Sequence, residues 1–184
     1  VESIAGDAIT QEMVQKASSD LLDKIGPAVI VTHSQSGLFG WPIADARPHL
    51  VKGIIAMEPS GPNGKRTWGI ADVPLTYDPP VTKPGELVLK KIEADGAVGW
   101  LQEEPARQLV NLRNIPIIIM TGEASYHMPY DHWTAEYLTQ AGIKNTYVRL
   151  QDCGMSGNGH MLMMEQNNLE IAAFVDKWIR NNVK

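Results

Sequence analysis

The chain has 184 residues, of which 43% are hydrophobic and 20% charged, and its formal net charge at pH 7 is −5. This length suits one domain with a sizeable core, and the dispersed acidic charge argues against nucleic acid or an anionic membrane surface as a partner. Apolar runs stay well below the roughly 20 residues that a membrane-spanning helix needs, so no membrane partner is expected.

The chain opens with a predicted helix and a predicted buried strand. Apolar residues at helical spacing predict a helix over 10–24, which Gly26-Pro27 ends. The positions predicted to face inward are Met13, Ala17, Leu21 and Leu22. The apolar run at 28–31 then predicts a buried strand over 28–33.

The hexapeptide Thr32-His33-Ser34-Gln35-Ser36-Gly37 directly follows that apolar run. A strand followed by a serine with small residues two positions away on either side is typical of a nucleophile elbow. The serine at the tip has a strained backbone, so the side chains two positions away must be small. Thr32 and Ser36 stand where glycines are usual, and both satisfy this requirement. Ser34 is therefore the candidate nucleophile, and the pattern predicts a serine hydrolase.

The elbow is followed by a helix and a second buried strand. The helix is predicted from residue 36 to about residue 47, with Pro42 inside its first two turns. The strand is predicted over 53–57, where the sequence is Gly-Ile-Ile-Ala-Met, and it ends at Glu58.

The next segment differs in composition from the rest of the chain. Residues 59–85 contain six of the twelve prolines, which predicts an ordered excursion away from the sheet. Trp68 and Tyr77 lie in it and are candidates to line an acyl pocket or its cover, with surface packing as the alternative. Residues 86–113 are predicted to be helical in pieces, with Pro105 in a first helical turn.

The last third of the chain again alternates strands and helices. The predicted elements are a third strand at 115–120, a helix at 130–140, a fourth strand at 145–150, a glycine-rich loop at 154–159 and a helix at 168–181. The final helix is predicted to face inward with Leu169, Ala172, Ala173, Val175 and Trp178. Strands that alternate with helices predict an α/β fold with a parallel sheet flanked by helices.

A serine nucleophile needs a base, and histidine is the usual one because its pKa lies near neutrality. His160 follows the last strand on the glycine-rich loop, at the sheet edge where functional side chains collect, and is the predicted base. His33 precedes the nucleophile and is expected to point away from it, packing or hydrogen-bonding beneath the turn. His49 is expected to be solvated. His127 and His132 lie around the start of a helix and are expected at the surface, with a place lining the site as the alternative.

A carboxylate must orient that histidine. Position alone leaves two candidates about even. Glu58 ends the strand after the nucleophile helix, and Glu123 follows the third strand, with Asp131 further along. A carboxylate at the tip of a buried strand, as at Glu58, needs a partner to justify its place.

An oxyanion hole needs two backbone N–H donors. Gln35 follows the nucleophile and is expected to supply one of them. The second comes from a loop early in such folds, and nothing before Thr10 has the strand and glycine loop to supply it.

Three motifs together resemble a small esterase family of the α/β-hydrolase superfamily. They are Thr-His-Ser-Gln-Ser-Gly at 32–37, Met-Glu-Pro at 57–59, and Gly-Asn-Gly-His-Met-Leu-Met-Met at 157–164 with the Asn-Asn-Leu that follows. The resemblance runs from about Asp20 to the end of the chain and is weakest over 60–113. It implies Ser34 as nucleophile, Glu58 as acid and His160 as base, and so favours Glu58 over Glu123.

The chain resembles only the second half of such a domain, with four of about eight strands and a Pro-rich insertion at about 59–113. In that fold the nucleophile strand has neighbours on both sides, and a bare apolar edge is an aggregation template. We therefore expect residues 1–184 to be the C-terminal part of a single domain that a second chain carrying the N-terminal half completes. A precursor cut into two chains would explain Val1, the missing oxyanion loop and the single cysteine, Cys153. A truncation or a self-contained fold are the alternatives.

The predicted function is hydrolysis of small-molecule carboxylic esters through an acyl-serine intermediate, without cofactor or metal. The alternatives are a non-catalytic binding protein or subunit of the same fold, and another acyl-serine chemistry such as a peptidase or acyltransferase. An extracellular or otherwise exported location is expected. Cys153 is either an inert thiol or half of a disulfide to another chain.

Overall fold

The computed structural model describes residues 5–62, 64–94 and 96–184. Val1, on which part of the expectation of a processed chain depends, lies outside these residues. The helices are α1 (Ala8–Ile25), α2 (Gly37–Ala46), α3 (Asp131–Gln140) and α4 (Asn168–Asn182). The strands are β1 (Ala28–His33), β2 (Val51–Met57), β3 (Tyr77–Asp78), β4 (Leu89–Ala94), β5 (Ala97–Gln102), β6 (Gln108–Leu109), β7 (Ile117–Thr121) and β8 (Asn145–Arg149).

The four predicted strands form one parallel sheet in the order β1-β2-β7-β8, in which β8 is partly exposed. Neighbouring residues of a strand face opposite sides of the sheet, and the core divides accordingly. Ile54 and Ile117 pack on one face with α2, α3 and the excursion. Ile55 and Ile118 pack on the other face with α4. The predicted parallel sheet flanked by helices is confirmed.

Two helices present a different face to the core from the one predicted. In α1 the buried residues are Gln11, Ser19 and Leu22, whereas Met13 is 67% and Leu21 54% exposed. Gln11 is buried because its amide exchanges hydrogen bonds with Asp72 of the excursion. Of the four positions predicted to face inward, Leu22 is buried in the core, whereas Met13, Ala17 and Leu21 are exposed.

The same kind of error occurs in α4. Ile171 and Val175 are buried there, whereas the side chain of Leu169 is 81% exposed and Ala172 and Ala173 are exposed. The packed face is completed by Phe174, Trp178 and Ile179, so only Val175 and Trp178 of the predicted set contact the core.

The prediction of helical pieces over 86–113 is wrong. The segment contains the antiparallel hairpin β4–β5, in which Leu89 pairs with Gln102, and then the short strand β6, which pairs with β3. Leu89 and Ile92 have helical spacing in the sequence. The hairpin forms instead because β5 packs on α3, where Gly99 lies so close to the Trp133 ring that a Cβ would stand 2.5 Å from it. Pro105 lies in the turn after β5, not in a helix.

Candidate active site

The backbone of Ser34 has the conformation that the elbow pattern predicts. Its φ is +55°, a left-handed conformation that is unusual for a residue with a side chain. Ser34 starts a 3₁₀ turn, Ser34–Ser36, that carries the chain from the end of β1 into α2. The Ser36 hydroxyl closes this turn by accepting from the backbone N–H of His33 and donating to the carbonyl of His33. The serine side chain is thus held at the carboxyl end of the sheet.

Three of the predicted site residues are joined by hydrogen bonds. Ser34 Oγ lies 2.9 Å from His160 Nε2, which places the serine hydroxyl as a donor to that nitrogen. On the other side of the ring, His160 Nδ1 lies 2.5 Å from Glu58 Oε2. A base between a hydroxyl and an orienting carboxylate is the arrangement that activates a serine for attack.

Glu58 is fully buried, yet its charge is well supplied with donors. The backbone N–H of Gly122 donates to Oε1 at 2.7 Å, and the Ser125 hydroxyl donates to Oε2 at 2.5 Å. With His160 this makes three hydrogen bonds, which compensate the carboxylate for the water it loses. Glu58 also has a positive φ, +44°. Ser34 and Glu58, the two ends of this series of hydrogen bonds, therefore both have a strained backbone.

The other two candidate carboxylates bond elsewhere. Glu123 is exposed, and its Oε2 accepts from the backbone N–H of Gly157 at 2.8 Å, which ties the loop carrying His160 to the end of β7. Asp131 pairs with His127. Among these three acids, the structure brings Glu58 to His160.

His33 and Glu165 hold the backbone around His160. His33 Nε2–H donates to the carbonyl oxygen of His160 at 2.8 Å, and the centroids of the two rings lie 4.6 Å apart, so His33 hydrogen-bonds and packs against the predicted base. The carboxylate of Glu165 accepts from the N–H of Gly159 at 2.7 Å. The exposed ring of Tyr126 covers His160, with its hydroxyl 3.3 Å from Nε2.

The prediction that His127 lies at the surface is wrong. It is 2% exposed, and its Nδ1–H donates to Asp131 Oδ1 at 2.8 Å. Thr121 Oγ1–H donates to the other oxygen of Asp131 at 2.7 Å. Burial raises the pKa of Asp131, and the hydrogen bond from His127 acts in the opposite direction. The sequence signal that was missed is the i, i+4 spacing of this histidine and this acid at the start of α3.

The loop between β7 and α3 supplies residues that sequence reasoning did not find. Gly122, Ser125 and His127 all belong to it, and all three are buried. A Cβ on Gly122 would lie 2.4 Å from the carbonyl oxygen of Asn158, so a glycine is needed where this loop meets the loop carrying His160. These contacts join positions distant in sequence, and no local pattern announces them.

Trp68 and Tyr77 lie in the core and not at the site. They are 6% and 4% exposed, and the Tyr77 hydroxyl bonds to the carbonyl of Trp68 and to the hydroxyl of Tyr137. Burial raises the pKa of Tyr77 well above its usual value. We therefore assign both aromatic residues to packing of the excursion, in which Tyr77 contacts α3, which corrects their prediction as substrate-binding residues.

Glu58, His127 and His160 also form a group whose possible metal-ligand atoms lie within 4.8 Å of one another. The hydrogen bonds among these residues, Ser125 and Asp131 already account for the arrangement. That no metal or cofactor is needed stays a prediction.

The remaining candidates differ in their exposure to solvent. Gln35 is exposed in the 3₁₀ turn directly after Ser34. His49 is exposed as expected, and His132 is half-buried. Cys153 is exposed with a free thiol within the described residues, so its pairing with another chain stays a prediction.

Among the described residues, none of the helices combines the length and apolar content that a membrane crossing requires.

One curated relative matches almost the whole chain. The chain is 45% identical over 193 aligned residues to a probable secreted lipase, phiG, of Fungal sp. (strain ATCC 74256). The match covers 98% of this chain and 53% of that lipase, so the chain spans about half the length of the curated relative it matches. No protein-family model matches the chain.

Solved structures align with nearly all of it. A bacterial esterase aligns with a TM-score of 0.57 at 22% identity, covering 90% of this chain and 42% of the esterase. A monoacylglycerol lipase of Paleococcus ferrophilus aligns with a TM-score of 0.55 at 14% identity, covering 94% and 76% of the two chains. A predicted CIB-like hydrolase of Thermoplasma acidophilum aligns with a TM-score of 0.51 at 15% identity, covering 93% and 60%. The parallel sheet, its flanking helices and these structural neighbours together give the chain the α/β-hydrolase fold.

Proposed function

We propose that this protein is a serine esterase that hydrolyses carboxylic esters through an acyl-serine intermediate. The observation that carries the proposal is the unbroken series of hydrogen bonds from Ser34 Oγ through His160 to Glu58. The positive φ of Ser34 adds to it, because that strain is the hallmark of a nucleophile elbow.

In the proposed reaction His160 Nε2 takes the proton of Ser34 as Oγ attacks the ester carbonyl. Glu58 holds the imidazole by Nδ1–H and stabilises the imidazolium that forms. The backbone N–H of Gln35 helps to stabilise the oxyanion of the tetrahedral intermediate. His160 then gives its proton to the leaving alkoxide, which departs as the alcohol. Water activated by the same histidine cleaves the acyl-serine, releasing the acid and restoring the Ser34 hydroxyl.

The names of the relatives agree with this chemistry. The curated relative is called a probable secreted lipase, and the aligned structures include a bacterial esterase and a monoacylglycerol lipase. We extend ester hydrolysis and export from the cell to this protein on that basis. The chain length of the acyl group and the nature of the alcohol are left to the experiment.

The test combines labelling with kinetics. The native protein is treated with a fluorophosphonate, digested and mapped by mass spectrometry, and its hydrolysis of p-nitrophenyl butyrate is compared with that of Ser34→Ala. We expect the label on Ser34 and a loss of turnover of at least about a thousandfold in the variant. Ser156→Ala, which removes an exposed serine of the loop that carries His160, is the control and should retain activity.

The other functions considered above are distinguished by the same material. Equal hydrolysis by the native protein and Ser34→Ala would favour a non-catalytic binding protein of this fold. Labelling of Ser34 without ester hydrolysis would favour a peptidase or an acyltransferase, which product analysis with peptides and alternative acceptors separates.

A further inference from the structure

A second histidine–carboxylate pair lies beside His160, and the reaction proposed above does not use it. The imidazole of His127 is stacked on that of His160, with centroids 4.6 Å apart and planes within 10° of each other. The Nδ1–H of His127 donates a hydrogen bond to Asp131, which is fully buried. Two buried ionisable groups are expensive to keep near a reacting centre unless they serve it.

The backbone of the same residue also supports the acid. The N–H of His127 donates to Ser125 Oγ at 3.1 Å, and that hydroxyl donates to Glu58 Oε2. His127 therefore contacts the proposed base through its ring, and its backbone N–H is linked to the proposed acid through the Ser125 hydroxyl. A change at this position reaches both partners of the His160–Glu58 hydrogen bond.

Several groups face His160, and they differ in charge. The ionisable groups around it are Glu58 from the end of β2, His33 from the end of β1, Tyr126 and His127 from the loop after β7, and Asp131 at the start of α3 behind His127. Tyr130 packs on His127, and its pKa is raised by burial first, then by the charge of Asp131. Glu123 and Glu165 bond to the backbone of the loop. Asp131 is thus the second buried carboxylate near the ring, after Glu58.

We propose that His127 and Asp131 form a supporting dyad: the His127 ring fixes the plane of the His160 imidazole, and the buried Asp131 carboxylate stabilises the positive charge that His160 acquires during the reaction. Both are positioning residues, because neither touches the reacting atoms. A negative charge near the ring favours imidazolium over imidazole by Coulomb attraction, which is strong where water is excluded. The inference rests on the proposed function, since it takes His160 to be the base.

The first test removes the charge and keeps the shape. Asp131→Asn still offers an oxygen to His127 Nδ1–H but is neutral. The acid limb of kcat/KM, which reports the free enzyme, should move to lower pH by about 0.5–1 unit, because imidazolium is then favoured less. The plateau kcat should fall about three- to tenfold.

Asp45→Asn is the matched control. Asp45 is also buried, accepts hydrogen bonds from Thr76 and has a pKa raised by burial, but the described contacts do not join it to His160. Its acid limb should coincide with that of the unmodified protein. An unmoved limb in Asp131→Asn, or an equal shift in Asp45→Asn, would overturn the proposal.

A second variant tests the ring. His127→Asn keeps a side-chain N–H for Asp131 but removes the stacked imidazole. We expect kcat to fall about tenfold while KM changes less than about twofold, since ring orientation matters to proton transfer and not to binding. This variant also decides the matter if melting curves show that Asp131→Asn does not fold. A kcat equal to that of the unmodified protein would contradict the role of the ring.

A spectroscopic arm separates failure of this inference from failure of the proposed function. If the native protein shows no Ser34-dependent hydrolysis, the esterase proposal fails. The titration of the His160 Cε1–H signal, followed by NMR in the native protein and in Asp131→Asn, still measures the coupling. Its midpoint should be lower in the variant, and an unchanged midpoint would overturn the inference by itself.

Discussion

At the scale of single residues, backbone strain coincides with the two ends of the hydrogen-bonded chain. Ser34 and Glu58 are the non-glycine residues with positive φ among those that the structure describes. Such conformations typically cost about 1–3 kcal/mol each and persist where the surroundings impose them. Ser34 is held by the elbow turn, and Glu58 by the donors that surround its carboxylate. The strain at Ser34 follows from its motif, whereas that at Glu58 depends on the loop after β7.

The choice of acid gives the first prediction. Glu58→Gln should lower kcat for p-nitrophenyl butyrate by about three to four orders of magnitude, because the amide no longer stabilises the imidazolium or fixes its tautomer. Glu123→Gln, an exposed acid that bonds only to the backbone of Gly157 among its described contacts, should lower it less than about tenfold. The opposite ranking would show that the acid lies after β7.

The hydrogen bonds that other residues donate to Glu58 give the second prediction. Ser125→Ala removes the hydroxyl that donates to Oε2 and leaves that oxygen with His160 alone. We expect kcat to fall about tenfold with little change in KM, since a lost charge-assisted hydrogen bond typically costs about 1.5–3 kcal/mol, part of which the neighbouring donors recover. Steady-state kinetics at a fixed pH measures this. A parent-like kcat would mean that Gly122 and His160 orient the carboxylate without help.

The histidines show which part of the candidate site could be predicted from the sequence. Ser34 and Glu58 directly follow apolar strands, and His160 lies on the loop that comes after β8. The rule that functional groups collect at the carboxyl ends of strands brings the three together. His127 was misplaced because its burial depends on Asp131, Thr121 and the loop that carries His160, not on its neighbours in sequence. Trp68 and Tyr77 were misassigned for the same reason, since an aromatic residue in a Pro-rich segment packs wherever the tertiary fold leaves room.

At the scale of elements, the strands of the sheet were predictable from the sequence, whereas the structure of residues 86–113 was not. The strands β1, β2 and β7 contain nearly continuous apolar runs between clear turn signals, a pattern typical of buried strands, whereas β8 has a mixed sequence and is partly exposed. The hairpin β4–β5 has instead a mixed pattern, and its conformation depends on packing against α3. The faces of α1 and α4 were misjudged because the exposed residues include apolar ones, so periodicity alone points to the wrong side.

The junction between α2 and the turn after β2 gives a third prediction. A Cβ on Gly37 would lie 2.4 Å from Pro59 Cβ and 2.5 Å from its Cα, so the first residue of α2 needs a glycine to approach the residue after Glu58. Gly37→Ala should destabilise the fold by about 1–3 kcal/mol through overpacking and should reduce kcat by displacing Glu58 from His160. Thermal unfolding and kinetics on the same samples measure the two effects.

Gly64→Ala is the control for that substitution. No heavy atom lies within 4 Å of the position that its Cβ would occupy. It should therefore leave the melting temperature and kcat close to those of the unmodified protein. Equal losses in both variants would mean that the effect at Gly37 comes from replacing glycine in general and not from contact with Pro59.

At the scale of the whole molecule, apolar side chains are exposed on the edge strand β1 and on the helix α1. β1 is an edge of the sheet, and its Val31 side chain is 57% exposed. On α1, which contacts α2 on its other side, the exposed apolar residues are Ile9, Met13, Leu21 and Ile25, each more than half exposed. A parallel edge strand with apolar side chains in water is a template for further pairing, which native proteins avoid. The surface at this edge of the sheet is therefore suited to being covered.

We propose that a polypeptide carrying the N-terminal half of the fold covers this surface and extends the sheet beyond β1, as a second chain. The curated relative is about twice as long as the match, which leaves room for such a half. Association of this kind would resemble a domain core cut in half and bury more than roughly 2,000 Å². Denaturing electrophoresis of the native protein with and without reductant, beside its mass by light scattering, should reveal the second polypeptide and whether Cys153 is linked to it.

A substitution on the exposed edge tests the same surface. Val31→Lys places a charge where the proposed partner strand would pack, and should release the second polypeptide and abolish most ester hydrolysis. Val88→Lys changes an equally exposed valine, the residue before β4, which is 56% exposed, and should do neither. A soluble, active species that contains only this 184-residue chain would contradict the proposal. It would make β1 a true edge, with the proposed nucleophile at its end and no neighbouring strand to hold the second oxyanion donor.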